Sequence, residues 1–282
     1  MDETGKQKKL FLESFLISMF TAVVILLPFV IEGRGILYIF TDFNLQQIPF
    51  NMLSNASIKS GNAFWSWNTD LGSNFIGAYG FYTLGSPFFW LSMIFPPSFF
   101  PYLAAPLVVL KFSVAGLTSF AFIKRFVRED YYALLGSLLY AFSGFQIANI
   151  FYNHFLDVTA LFPLLLIALE ELMGDNAYGF FAAAVAINAL TNYEFFVGEI
   201  VFLLIYFLCR VILKDVRMSP KKWATLIAES VLGLGVSCVL LLPAALFIIN
   251  IPRAVNRISG LKSLIYHPSI YLDLLKAVLL PA

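Results

Sequence analysis

Charge is what this sequence has least of. Asp, Glu, Lys and Arg make up 12% of its 282 residues, against 60% apolar residues and a mean hydropathy of +0.83. A soluble globular domain carries about 25% charged residues, so the composition excludes that class and predicts a chain that crosses a bilayer several times. A formal net charge of +1, without a dense basic stretch, offers no nucleic-acid partner. Cysteine is scarce too. Cys209 and Cys238 each lie inside an apolar run without metal-type spacing, and read as two buried thiols that pack as small apolar groups. No redox compartment follows from them. A signal-peptidase site is also missing, because Val30-Ile31-Glu32-Gly33-Arg34 contains no small-x-small pattern.

What is present is a series of long apolar runs. Lys6, Lys8 and Lys9 precede the first, Leu10 to Ile31, which is long enough to cross a hydrocarbon layer of about 30 Å and reads as a retained anchor starting in the cytoplasm. Further crossings are predicted at 99–123, 131–152, 155–173, 178–190, 195–213 and 223–249, seven in all, of which 178–190 is short and must borrow flanking residues. The first loop, 32–98, and a tail, 250–282, are then external. Within that loop Phe88 to Ile94 is too short to span and reads as interfacial. The expectation is an all-α, polytopic, multi-pass cell-membrane protein with its N-terminus cytoplasmic and its C-terminus outside.

Charge placement supports that orientation independently of hydropathy. The predicted inner pieces hold Lys6, Lys8, Lys9, Lys124, Arg125, Arg128, Arg210, Lys214, Arg217, Lys221 and Lys222. The much longer outer pieces hold Arg34, Lys59, Arg253, Arg257, Lys262 and Lys276, so positive charge is concentrated inside. The inner turn Gly174-Asp175-Asn176 carries no positive charge and does not contribute.

The uncharged polar residues and carboxylates crowd the other side. Asp42, Asn44, Gln46, Gln47, Trp65, Trp67, Asn68, Asp70, Asn153, His154, Asp157, Asn192 and Glu194 all fall at or beyond outer helix ends. Asn153, His154 and Asp157 would share one face if the fourth crossing begins helically there. Each has a plain structural reading beside a functional one. Asp42 suits a helix cap, His154 and Asp157 suit hydrogen bonds to loop backbone, the tryptophans suit interfacial anchors, and Asn68-Thr69-Asp70-Leu71-Gly72 reads as a turn. Lys111 is different, since it lies mid-way through the second crossing, where an unpaired charge costs a few kcal/mol or more. Glu199 and Glu229 are the best-placed structural partners, ahead of Glu170 and Glu171. The functional alternative is that Lys111 faces a lateral cavity and meets a lipid phosphate.

Four spaced motifs carry a resemblance. Thr41-Asp42-Phe43-Asn44-Leu45-Gln46-Gln47-Ile48-Pro49-Phe50, then Ser143-Gly144-Phe145, then Asn153-His154-Phe155-Leu156-Asp157 leading to Phe162-Pro163-Leu164, and finally Thr191-Asn192-Tyr193, together resemble the YfhO family of bacterial membrane proteins. Those proteins are similar to glycosyltransferases of the GT-C fold. The resemblance implies a transferase that moves a sugar from a polyprenyl-phosphate carrier to a cell-envelope polymer such as lipoteichoic acid, with Asp42 as the catalytic carboxylate of the first external loop. It also implies that the chain corresponds to the N-terminal part of a longer protein. Substrate contacts would come from Arg34 and Lys111 on phosphate, from Asn44, Gln46 and Gln47 on sugar hydroxyls, and from Trp65 or Trp67 on a sugar face. Asn153, His154, Asp157 and Glu194 would complete the site, with Asp157 and His154 orienting acceptor or ligating a divalent metal of unknown identity.

A transporter or lipid flippase is the alternative of another class, and it would show mid-membrane polar groups and repeated halves; the sequence has no internal repeat. An inactive fragment is the third reading. The orientation is directly testable once Cys209 and Cys238 are replaced by serine. Single cysteines at Lys8, Arg128 and Lys221 should stay protected from an impermeant thiol reagent in intact cells while one at Lys59 is labelled; labelling of position 221 with protection of position 59 would reverse the topology.

Overall fold

The computed structural model describes residues 3–39, 41–67, 69, 72–174, 178–216 and 218–250, with Ser269 and Leu272 beyond them. Most of the expected tail at 250–282, the turn residues Asn68 and Asp70, the inner-turn residues Asp175 and Asn176, and Arg217 lie outside the described residues.

The described residues are helical apart from turns, loops and one minimal hairpin. Helix α1 (Glu3–Glu32) leads through a π-helical turn (Phe43–Gln47) directly into α2 (Ile48–Lys59). Strands β1 (Trp65–Ser66) and β2 (Ser73–Asn74) pair antiparallel, Trp65 opposite Asn74 and Ser66 opposite Ser73. Short helices α3 (Phe75–Tyr79) and α4 (Pro87–Ser92) precede α5 (Phe100–Ile123), α6 (Asp130–Ala141), α7 (Gly144–Ala148), α8 (Asn153–Met173), α9 (Phe180–Thr191), α10 (Tyr193–Ile212) and α11 (Pro220–Ile249).

Among the described residues, four segments are long and apolar enough to cross a membrane: Gln7–Glu32, Pro97–Ile123, Tyr193–Ile212 and Pro220–Ile249. The remaining three expected crossings look different in the structure. The stretch from Tyr131 to Tyr152 is not one helix, because α6 stops at Ala141 and α7 restarts at Gly144 after Phe142 and Ser143 leave the helix. At 1.5 Å per residue the 12 residues of α6 reach only about 18 Å. Helix α9, also of 12 residues, reaches no further. Helix α8 has sufficient length but carries polar groups at both ends and is packed at the centre of the molecule.

Local sequence explains where the helices begin. Ser86 and Ser219 each precede a proline at the first helical position and accept a hydrogen bond from Phe89 N and Lys222 N, capping α4 and α11. Asn192 turns the chain between α9 and α10 in an extended conformation, and its side chain caps α10 at Phe195 N. Helix α9 has no cap of its own. Its start is served from α11, where the Glu229 carboxylate accepts from Gly179 N at 2.7 Å and Ala182 N at 3.1 Å.

Packing runs through α5 and α8. Helices α1 and α6 lie against α5, α9 lies against α8, and α11 against α9. Small residues permit close approach: the Ser14 hydroxyl donates to the Gly116 carbonyl, and a Cβ on Gly116 would sit 2.0 Å from Ser18 Oγ. Thr118 donates to the Ala160 carbonyl and ties α5 to α8. At the end away from Asp42, Arg210 pairs with Glu170 at 3.0 Å, Tyr206 also reaches Glu170, and Arg125 pairs with Glu171. Helices α10 and α11 turn Leu204, Leu208, Val231 and Val239 outward. Cys209 and Cys238 lie on these same exposed faces as free thiols, so the expectation of buried cysteines fails: both interrupt outward stripes rather than core positions.

Glu229 is a capping group supplied by another helix. Glu229→Leu should lower stability by about 1–3 kcal/mol by orphaning two N–H groups, whereas Glu229→Gln, with an oxygen still able to accept, should lose less. Thermal unfolding in detergent measures the difference.

Candidate functional site

The Asp42 end of the bundle is built from the α1–α2 connection upward. Helix α1 closes in a left-handed turn with Arg34 at φ 53° and Gly35 at φ 96°, and Gly35 N bonds back to the Val30 carbonyl at 2.8 Å. Arg34 is exposed there. Seven residues on, Thr41 holds φ 68°, a conformation that a β-branched residue rarely adopts and that stores strain. Asp42 follows immediately. It occupies the cap position of the π-helical turn but makes no capping bond, so the capping reading of this residue fails. Its Oδ1 accepts instead from Gln46 Nε2 at 3.0 Å, and the residue is half-buried.

The other polar residues of the turn point away from solvent. Asn44 Nδ2 donates to the Ile39 carbonyl at 2.7 Å. Gln47 is buried, and its Oε1 lies 3.2 Å from His154 Nδ1, which donates to it. Both bonds hold the loop, and Gln47 Nε2 has no partner among the described residues; Gln46 alone of the three is directed to Asp42.

Beneath the turn lies a buried ion pair. Lys111 and Asp157 are 2% and 1% exposed, with Nζ and Oδ1 2.5 Å apart. Lys111 also donates to the Asn153 carbonyl at 2.8 Å and to Asn153 Oδ1 at 2.7 Å, so its three protons are engaged. The Phe88 ring covers the ammonium at 5.4 Å, and the Ser86 hydroxyl reaches Asp157. The expected partners of Lys111 are therefore corrected. Glu229 is engaged at the start of α9, and Glu199 lies in α10; the partner is Asp157, distant in sequence but placed opposite Lys111 by the packing of α5 on α8. The same geometry withdraws Lys111 from a lateral cavity. Asn153, His154 and Asp157 do begin α8 on a common buried face, and bond side chains rather than loop backbone.

An aromatic wall joins the pieces. His154 packs edge-on to Phe81, Tyr82 and Phe155, with ring centroids 5.0, 5.0 and 4.6 Å away. Phe81 meets Tyr193 at 4.9 Å, and Tyr82 meets Phe50 at 5.0 Å. The loop that carries Phe81 and Tyr82 is pinned by Ser54 to Thr83, by Trp90 Nε1 to the Leu84 carbonyl, and by the fit of Gly85 against α9. A Cβ on Gly85 would lie 1.7 Å from the Leu190 carbonyl oxygen. Burial first, then the negative charges of Glu194 and Asp42, push the Tyr82 phenol above its ordinary range, which keeps it a neutral hydroxyl donor. Two carboxylates, the half-buried Asp42 and the exposed Glu194, thus stand within electrostatic reach of one tyrosine.

Sequence reasoning missed Phe81, Tyr82 and Tyr193. The signal was available in Gly77-Ala78-Tyr79-Gly80-Phe81-Tyr82-Thr83-Leu84-Gly85, where aromatic residues alternate with glycines that allow close packing. Trp65 and Trp67 are the reverse case. They sit on the hairpin, 5.7 Å from each other, and a Cβ on Gly72 would meet both rings at about the closest tolerated distance, 3.0 Å. Among the described residues, no three His, Cys, Asp or Glu side chains come together as a metal site.

Two apolar crevices open on the sides of the bundle. One of about 390 Å³ lies between α8, α9, α10 and α11, walled by Leu165, Phe181, Phe196, Phe207 and Trp223. Another of about 520 Å³ lies between α1 and α5, from Met19 up to Val30 and Ala105.

A family model described as bacterial membrane protein YfhO matches residues 14–278. No curated protein and no solved structure matches the chain.

The ion pair can be separated from its surroundings by mutation. Lys111→Met should cost about 3–5 kcal/mol by leaving Asp157 buried and unpaired, and Lys111→Met combined with Asp157→Leu should recover most of that loss. Unfolding of both variants in detergent decides it; a double variant no more stable than the single one would contradict the pairing.

Proposed function

This chain belongs to the YfhO family of bacterial membrane proteins, and from that premise we propose that it is a GT-C-like glycosyltransferase, with about seven crossings, whose site lies on the outer face of the cell membrane. Its donor is a polyprenyl-phosphate-linked sugar and its acceptor a cell-envelope polymer such as lipoteichoic acid. The observation that carries the reading is Asp42: a half-buried carboxylate directly after a strained Thr41, free of any capping duty and oriented by Gln46.

In this reading Asp42 takes the proton of an acceptor hydroxyl as its oxygen forms the bond to the anomeric carbon. The bond from that carbon to the carrier phosphate breaks, and its electron pair leaves on the phosphate. Arg34 is the exposed cation suited to meet the phosphate charge, since the protons of Lys111 are engaged. The crevice between α1 and α5 ends at Val30, one turn below Arg34, and suits an isoprenoid chain whose phosphate reaches that arginine. Tyr82 and Tyr193 offer aromatic faces and hydroxyl donors to a sugar, and Glu194 supplies a second carboxylate that can orient it. No step is routed through a metal ion.

The decisive variant is Asp42→Asn in the full-length protein. Asparagine keeps shape and cannot accept the proton, so transfer of labelled sugar from the polyprenyl-phosphate donor in membrane vesicles should fall roughly 100-fold or more, with insertion and thermal stability unchanged. Activity near wild type would remove Asp42 from the chemistry.

A further inference from the structure

Helices α8 and α10 touch through matched aromatic pairs. Phe155 meets Phe195 at 4.7 Å, and Phe162 meets Phe202 at 5.3 Å. Each pair spans the same distance in sequence, so Thr159 and Glu199, one turn below the first pair on their own helices, face each other between the two aromatic layers. Side walls come from α6 and α7. The Tyr140 hydroxyl donates to the Thr159 carbonyl at 2.9 Å, and the Thr159 hydroxyl donates to Gln146 Oε1. Glu199 lies within electrostatic reach of Tyr140, and Phe145, beside Gln146, joins the upper layer against Phe195 at 5.9 Å.

Two groups at this junction have no hydrogen-bond partner among the described residues. Glu199 is 8% exposed with Oε2 unpartnered, and Gln146 is fully buried with Nε2 unpartnered. One is an acceptor and the other a donor. In the membrane sector each such orphan costs free energy. The Lys111 pair and the Asp42 turn do not use them: Asp157 points to α5, whereas Thr159, two residues on, is turned to the opposite side of α8. Beside Glu199, Gly198 is exposed and its Cβ position has open space around it, as does that of Gly144 next to the α7 wall.

We propose that this junction is a second binding site, distinct from the Asp42 site, which takes the free hydroxyl of a neutral, diacylglycerol-class lipid entering sideways past Gly198. An O–H fits the pair of orphans, donating to Glu199 and accepting from Gln146. Its depth favours a neutral lipid over a phospholipid. Thr159 and Glu199 lie six residues inside the ends of their helices, about 9 Å down, where a charged head group would be drawn from water and an uncharged glycerol hydroxyl would not. The aromatic layers fit the adjoining hydrocarbon. The inference does not depend on the transferase reading.

The test uses full-length protein in phosphatidylglycerol nanodiscs containing equal amounts of 1,2-dioleoylglycerol and its 3-O-methyl ether, which keeps the chains and lacks the O–H. Native mass spectrometry should find the alcohol retained about tenfold over the ether. Glu199→Leu and Gln146→Leu should each erase that preference, while Asp42→Asn should keep it even where transfer is lost. Should Glu199→Leu fail to fold, Gln146→Leu, which leaves the carboxylate in place, decides alone. Equal retention of the two lipids, an unchanged preference in Gln146→Leu, or retention of neither lipid with water alone meeting the polar groups would each overturn the proposal.

Discussion

The contact between Lys111 and the first turn of α8 is the constraint from which the rest of this molecule follows. One ammonium, far from water, holds Asp157, the Asn153 side chain and the Asn153 carbonyl together. It thereby fixes where α8 starts and how it is rotated against α5. His154 is the next residue along, so its ring is aimed at Gln47 by the same rotation. Gln47 ends the π-helical turn, and the turn presents Asp42. A charge in the middle of α5 thus sets the position of a carboxylate near the surface with which it has no direct contact. A hydrophobic substitute could hold two helices together equally well. It could not specify the rotation of α8 through three directed hydrogen bonds, and rotation is what delivers His154 to the loop.

Aromatic residues perform the second task, which is to close the site without charge. Phe81 and Tyr82 from one loop and Phe155 from α8 itself pack edge-on against His154, with Tyr193 behind Phe81, and edge-on ring contacts of this kind each add roughly 0.5–1.5 kcal/mol beyond burial. The arrangement leaves the two carboxylates, Asp42 and Glu194, at the rim with tyrosine hydroxyls between them. Such a rim is unfavourable for an anion approaching alone, and favourable for hydroxyl groups, which can donate to carboxylates and stack on rings.

Much of this was legible in the sequence, for identifiable reasons. The long apolar runs that became α1, α5, α10 and α11 report themselves through composition, because a helix with outward apolar faces needs apolar residues nearly all round. Asp42, Gln46, Asn153, His154 and Asp157 stood out because polar groups are rare here. The partner of Lys111 did not, since pairing across two helices depends on their relative rotation and shift, which hydropathy does not encode. The break after Ala141 was hidden in an apolar stretch; Ser143-Gly144 is the only turn signal there, and a membrane-length run outweighed it. The cysteines misled for a related reason. In a water-soluble protein an apolar run is buried in protein, whereas on α10 and α11 it faces outward.

Helix α8 shows how these observations combine. It is the most enclosed of the long helices, yet it carries polar residues on two opposed sides: Asn153 and Asp157 toward α5, and Thr159 toward α6, α7 and α10. The first side is satisfied by its neighbours, with a cation matched to a carboxylate. The second retains an unpartnered acceptor and an unpartnered donor across from it. A helix used only as a packing element would gain nothing from either, because apolar residues of equal volume avoid the desolvation cost altogether. The satisfied side is explained by the need to orient the turn that carries Asp42. The unsatisfied side has no such structural explanation, and it adjoins α10, the neighbour whose other face is turned outward along most of its length. Polar groups kept at that position are accounted for by something that arrives from outside the bundle.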